Sequence, residues 1–154
     1  MGSFTQLTYH IVFGTKYRRP SIKDNVRERL YEYIGGTIRA KKGRLIEIGG
    51  VEDHVHILAG LAPTEALANV VRDIKANSSK WMNEQSGSSG LFEWQKGYGA
   101  FTVSYSQIPS LESYLRTQEE HHRKKSFKEE YMEILKRHNL PFLIEHLFEG
   151  EQHG

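Results

Sequence analysis

The sequence predicts an α+β fold: an antiparallel sheet covered by helices, with a ferredoxin-like architecture. Segments of two-residue apolar alternation are interleaved with segments whose apolar residues recur every three or four positions. The strand-like segments come in hairpin-like pairs, in the order β-α-β-β-α-β-β-α-α, which favours antiparallel pairing over a parallel sheet. The chain of 154 residues, 38% hydrophobic and 26% charged, suits one domain with a buried core and no need of cross-links.

The first strand is predicted within Phe4 to Tyr17, where positions 7, 9, 11 and 13 are Leu, Tyr, Ile and Phe, the period of a half-buried strand. Pro20-Ser21 ends it, and Ser21 with Asp24 resembles a capping box. Ile22, Val26, Leu30, Ile34 and Ile38 then form a helical stripe that Lys41-Lys42-Gly43 terminates. Arg44 to Val51 and Val55 to Leu61 read as strands, with Gly49-Gly50 suggesting a bulge or a tight connection. Pro63-Thr64 opens a second helix with the stripe Leu67, Val70, Val71, Ile74 and Trp81. Ser86 to Gly90 reads as a flexible loop. Phe92-Glu93-Trp94 and Ala100 to Tyr105 are strand-like. Pro109-Ser110 begins a third helix reaching about Arg123, and Ser126 with Glu129 caps a fourth that ends before Pro141. Residues 1–154 form one domain in this scheme, with 119–154 as a C-terminal helical extension.

Composition narrows the chemistry. Cysteine is absent, which excludes a disulfide scaffold, a thiolate zinc site and a cysteine nucleophile. No apolar run is long enough for a membrane span, and residues 1–6 lack the cationic and apolar segments of a secretory signal, so a cytoplasmic protein is expected. The net charge of +2 hides a gradient. Residues 1–50 carry ten Lys/Arg against four Asp/Glu, whereas 119–154 carry six against eight, so a polyanionic partner is sought at the basic end.

Three local patterns can carry function. In Glu52-Asp53-His54-Val55-His56-Ile57-Leu58, His54 and His56 are two apart on a strand and point to one face, where both imidazoles can meet one metal ion while Val55 and Ile57 enter the core. Two surface or hydrogen-bonded histidines would look the same. On the third helix, Tyr114 and Gln118 are four apart and share a face, with His121 and His122 nearby. A phenol near a metal-bound phosphate can attack phosphorus once its proton is removed, but Tyr114 is one of eight tyrosines and half-buried packing is the alternative. Lys16-Tyr17-Arg18-Arg19 mixes cations with an aromatic ring, which suits a nucleic-acid backbone with an unstacked base and equally a solvated strand end.

In combination and in this order, Tyr9 to Pro20, Asp53 to Leu58, Trp94 to Gly99 and Tyr114 to Gln118 resemble the single-tyrosine transposases of the HUH endonuclease superfamily, which move small bacterial insertion sequences as single-stranded DNA. The resemblance spans roughly residues 4 to 125. It implies metal ligation by His54 and His56, with Gln118 as a third ligand and Mg2+ or Mn2+ as the ion, and Tyr114 as nucleophile. It implies a 5′-phosphotyrosine intermediate, single-stranded hairpin DNA as substrate, a homodimer, and no membrane and no nucleotide cofactor. Lys16, Arg18, Arg19, Lys41, Lys42 and Arg44 are the candidates for phosphate contact. The chain runs about thirty residues past Gln118, like the branch associated with repeated palindromic sequences, some of whose members nick hairpins without mobilising an element. His121 and His122 could touch the metal or the DNA; a structural or DNA-facing role is the expectation, because Gln118 fills the ligand position. Two other functions fit parts of the pattern: a non-catalytic single-strand nucleic-acid-binding module, and a small metal-dependent hydrolase using water.

Overall fold

A computed structural model describes residues 2–85 and 91–148, so the loop expected over 86–90 and the last residues, 149–154, lie outside it. The strands are β1 (Thr8–Gly14), β2 (Arg44–Val51), β3 (His54–Gly60) and β4 (Gly99–Thr102). The helices are α1 (Asp24–Ala40), α2 (Leu67–Glu84), α3 (Ile108–Arg116), α4 (Gln118–His121) and α5 (Phe127–Arg137). The sheet order is β2-β3-β1-β4 with every pair antiparallel. Through β4 the chain is the β-α-β-β-α-β unit of the ferredoxin-like fold, with α3 to α5 appended.

Helices cover both faces. On one, Ile11 and Phe13 of β1 and Val55, Ile57 and Ala59 of β3 meet Leu30, Ile34 and Ile38 of α1 and Val70, Val71, Ile74 and Trp81 of α2. On the other, Val12 and Phe101 meet Phe127, Tyr131 and Ile134 of α5, closed by Leu147 and Phe148. The apolar alternation expected in the first strand therefore describes only the α1/α2 face. The intervening positions of β1 are buried too, and they carry His10 and Val12.

Several boundaries depart from the sequence expectation for local reasons. β1 stops at Gly14; Tyr17 and Arg18 take φ of 59° and 54°, which no strand can continue through. Phe92-Glu93-Trp94 contributes a single bridge, Thr15 to Trp94, and no strand, so the sheet has four strands rather than five. Ser21 does not cap α1; its hydroxyl bonds the carbonyl of Arg19, and the helix starts after Lys23. α2 begins at Leu67, because a turn closed by Glu65 N–H to the Ala62 carbonyl occupies the Pro63-Thr64 stretch. The third predicted helix breaks at Thr117, whose hydroxyl bonds the carbonyls of Ser113 and Tyr114 in place of the helical ladder. The capping box of α5 forms as expected: Glu129 N–H donates to Ser126 Oγ, and Ser126 N–H to the Glu129 carboxylate.

The bulge in β2 falls between Leu45 and Glu47, not at Gly49-Gly50. Gly49 serves a close approach instead. A Cβ there would stand 1.9 Å from the carbonyl oxygen of Leu115, so only glycine lets α3 lie this near the sheet. That approach brings α3 against β2, beside the strand that carries His54 and His56.

Candidate metal centre and tyrosine site

The second face of the sheet is where polar side chains are buried. His54, His56, Gln118 and Glu130 are each at most 1% exposed. They come from β3, the start of α4 and the first turn of α5, and they converge on one carboxylate. Glu130 Oε1 lies 2.9 Å from His56 Nε2, 3.0 Å from His122 Nε2 and 3.3 Å from His54 Nε2. Its other oxygen accepts from Gln118 Nε2 at 3.2 Å and from the hydroxyl of Tyr114 in a short hydrogen bond. Gln118 Oε1 is in turn 3.1 Å from His54 Nε2. Tyr114 and Gln118 thus meet as expected, although across a helix break and not on one continuous helix.

The imidazoles are oriented from behind. Asp53 Oδ1 accepts from His54 Nδ1 at 2.7 Å, which turns Nε2 toward the centre. His10 Nε2 is 2.8 Å from His56 Nδ1, and their rings stack. When His56 Nε2 offers its lone pair to a cation, its remaining proton sits on Nδ1, where His10 accepts it. Phe127 stacks on the His54 ring at 4.2 Å, and His122 stands edge-on to it at 4.4 Å.

The shifts in acidity follow from this crowding. Burial, with the neighbouring His56, lowers His10 to about 3, so it is neutral. Burial also opposes charge on His54, but hydrogen bonds to Asp53 and Glu130 outweigh it and raise the group to about 9. His56 is lowered, by burial first. Burial would raise Glu130, yet the three imidazoles hold it well below the usual carboxylate range. Burial and then the adjacent Glu130 carboxylate push the Tyr114 phenol above its ordinary value.

His54, His56, His122 and Glu130 offer ligand atoms all within 4.8 Å of one another, a group able to hold a metal ion. Imidazole nitrogens with a carboxylate and an amide oxygen suit a hard or borderline divalent cation, and Asp53 and His10 behind the imidazoles are the support such sites use. The residues therefore fit a metal.

His122 departs from the expectation that it is structural or faces DNA: its Nε2 joins the cluster. His121 stacks on the Tyr114 ring at 4.5 Å and contacts Thr117 Oγ1. Glu130 was not singled out in the sequence. Its signal was a carboxylate within the apolar stripe Phe127, Tyr131 and Ile134 of α5, three residues after the first of them.

The cationic candidates divide between the two ends of the sheet. Lys16, Arg18 and Arg19 follow Gly14, which pairs with His54. Lys16 is 3.3 Å from Glu93, the Arg18 guanidinium lies 3.8 Å from the Phe148 ring centre, and Arg19 lies 5.0 Å from that of Tyr17. Arg44 pairs with Gly60, at the other end of β3 and about 20 Å from His54 at the usual strand rise. Lys41 sits near that end, paired with Asp73 at 2.6 Å and Glu65 at 3.5 Å, and Lys42 adopts a left-handed φ of 64° in the turn before it.

A four-stranded antiparallel sheet with a His-Val-His strand facing a tyrosine defines the class as an HUH-type DNA transposase fold. The family model for IS200-like transposases matches residues 3–118, and the chain belongs to that family. It is similar to the ISDra2 transposase TnpA of Deinococcus radiodurans, 27% identical over 125 residues covering 76% of this chain and 87% of that one. It is also similar to the transposase for insertion sequence element IS200 of Salmonella typhimurium, 27% identical over 71% of this chain and 75% of that one. Among solved structures, a protein of Deinococcus radiodurans assigned as a transposase superimposes with a TM-score of 0.60 at 25% identity, covering 77% of this chain and 95% of that one. A REP-associated tyrosine transposase bound to a REP hairpin shares the fold, with a TM-score of 0.57 at 13% identity over 76% of this chain and 72% of that one. The family resemblance in the sequence is thereby borne out, and the function is that of a transposase.

Proposed function

We propose that the chain nicks and rejoins single-stranded DNA, at hairpin ends, through a 5′-phosphotyrosine on Tyr114. The observation that supports this most is the convergence of the Tyr114 hydroxyl, Gln118 and two supported imidazoles on one buried carboxylate within a single chain. It also supports a site complete in one subunit, whether or not the protein is a homodimer.

His54, His56 and Gln118 would hold a divalent cation, Mg2+ or Mn2+, with His122 and Glu130 adding donors. When bound, such a cation polarises the scissile phosphate and offsets the charge that builds on it. The chain's own groups do the rest. Glu130 and the stacked His121 ring fix the Tyr114 side chain, so the phenolic oxygen is positioned before substrate arrives. That oxygen attacks phosphorus, its proton passes to solvent water, and the bond from phosphorus to the 3′ oxygen breaks. The 3′ oxygen takes a proton from water, and the 5′ side remains as an ester of Tyr114. Attack on that ester by the 3′-hydroxyl of another strand releases Tyr114 and joins DNA, with no nucleotide cofactor. Lys16, Arg18 and Arg19 lie at the site's end of the sheet and are the preferred phosphate contacts of the cationic set.

The test is a denaturing gel of protein incubated with labelled single-stranded hairpin DNA and Mn2+. A covalent protein–DNA band is expected with the wild type and none with Tyr114→Phe; cleavage should fall on the order of 10³-fold or more. A persistent adduct in that variant would remove the nucleophile. His54→Ala should abolish metal-dependent cleavage while circular dichroism still reports the fold, and undiminished cleavage would remove the metal role.

A further inference from the structure

Tyr114 stands on the wall between two cavities, and Arg137 lines both with it. The larger, about 660 Å³, lies between β4, the start of α3 and the C-terminal end of α5. This volume is in the range of pockets that enclose small-molecule-sized groups. One wall is aromatic: the exposed His138 imidazole stacks on the buried Phe101 ring at 4.4 Å with 17° between planes. Ser104, Gln107 and Ser110 bring hydroxyl and amide groups to its rim. The smaller cavity, about 380 Å³, is lined by Lys124, Lys125 and His121 and by the carboxylates of Glu120 and Glu130, and Lys125 is paired with Glu133.

The charge at the junction is unusual. Arg137 is exposed and makes no ion pair among the described residues, and its positive charge acts on both Tyr114 and His10. A cation in the last turn of α5 would favour the helix dipole anywhere around the helix. Here it lies in the gap beside the phenol, between an aromatic-walled cavity and one that Lys124 lines. A flat ring surface joined to an unpaired cation is the combination that receives a nucleotide of a single strand, through base stacking and a phosphate contact.

From this geometry we infer that the larger cavity receives one unstacked nucleotide next to the bond that is cut, its base against His138 and its phosphate on Arg137. The strand then crosses Tyr114 toward Lys124 in the smaller cavity. The inference rests on Tyr114 as the reacting group. Arg137, His138 and Lys124 all lie beyond residue 118, where the family match ends. The extension is thus assigned a part in holding substrate, in addition to its carboxylate.

Fluorescence anisotropy in a chelating buffer separates the parts, with Tyr114→Phe in every protein so that nothing is cut. The probes are fluorescein-labelled oligothymidylate and an abasic oligomer with the same number of phosphates. Oligothymidylate is expected to bind about five-fold tighter or more, the lower end of what one stacked base contributes. His138→Ala should erase that preference and leave the abasic affinity unchanged, and His138→Phe should restore it. Arg137→Gln should weaken both probes equally and reduce the salt slope by about 0.7, one single-strand phosphate. Both side chains are exposed at a helix end, so thermal midpoints should stay at the parent value. Equal binding of the two probes by the parent, a preference that survives His138→Ala, or an unchanged salt slope in Arg137→Gln would overturn the subsite. If any of these occurs while the wild-type protein still forms the Tyr114 adduct on the denaturing gel, the subsite fails alone; if the wild type forms no adduct, the reading of Tyr114 fails with it.

Discussion

The two faces of the sheet use the same strands to opposite ends. On the α1/α2 face, β1 and β3 present Ile11, Phe13, Val55 and Ile57 to an apolar cluster, with the Lys75 ammonium over the Phe13 ring at its margin. One position along each strand, on the other face, stand His10, His54 and His56, equally buried. The first face needs only shape and apolar area. The second needs a partner for each polar atom, because a buried polar group without one costs more than its hydrogen bond returns. His54 and His56 meet that condition at both ring nitrogens. The contrast shows how a small domain can keep a dense polar cluster: one face carries the stability, and the alternate side chains of the same strands are left to chemistry.

The largest effects should fall on this division. Phe13→Ala removes a fully buried ring and should lower the unfolding free energy by about 3–5 kcal/mol. Glu130→Ala should cost a similar amount, about 3–5 kcal/mol, since it leaves the imidazoles facing one another without their counter-charge. Denaturant titration with and without Mn2+ separates the two. The metal should stabilise Phe13→Ala as much as the wild type and Glu130→Ala less; equal stabilisation of both would place Glu130 outside the metal's reach.

Gly49→Ala tests how far the faces are independent. Its new methyl would meet the Leu115 carbonyl, so α3 must move off the sheet, at a cost of about 1–3 kcal/mol. Adduct formation should fall far more than that stability loss explains, because Tyr114 rides on α3. An adduct yield at the wild-type level in a folded Gly49→Ala protein would show that the tyrosine does not depend on this approach.

Asp53→Asn should weaken Mn2+ binding by about 10–100-fold in calorimetry, with the apolar face untouched, because Asp53 fixes the orientation of the His54 ring. The smallest effect should come from Lys41→Ala. Its ion pairs with Asp73 and Glu65 lie at the far end of the sheet, so the thermal midpoint and adduct yield should both stay near wild type. A marked loss of DNA binding in Lys41→Ala would restore that end of the sheet as a phosphate contact.

Much of the apolar face was legible in the sequence, because its signal is local. The four-residue stripe from Ile22 to Ile38 marked α1, and Arg44 to Val51 matched β2 residue for residue. The capping pair Ser126 and Glu129 marked the start of α5. The polar face was legible only in pieces. The alternation at His54-Val55-His56 put both imidazoles on one side, and the family pattern added Tyr114 and Gln118. The local mark of Glu130, a carboxylate in an apolar stripe, did not say what it meets: it lies 74 positions from His56 and reaches it only after α5 folds back over the sheet. The break at Thr117 was hidden for the same reason: threonine is tolerated within helices, and whether its hydroxyl takes over the backbone carbonyls is decided by what α4 must reach.

The capping box at Ser126 gives that missed carboxylate its address. A helix advances about 100° per residue, so fixing where α5 starts also fixes the compass bearing of every side chain after it. Glu130 follows the cap by four residues and faces the histidines only because the first turn is indexed there. Deleting one residue between Ser126 and Glu130, with the cap kept, would swing the carboxylate about a quarter-turn away and bring Tyr131 to its place. Length in this short stretch is therefore under tighter constraint than the exposed pair Ser126 and Glu129 suggests, and natural variation should substitute residues here more readily than it changes their number.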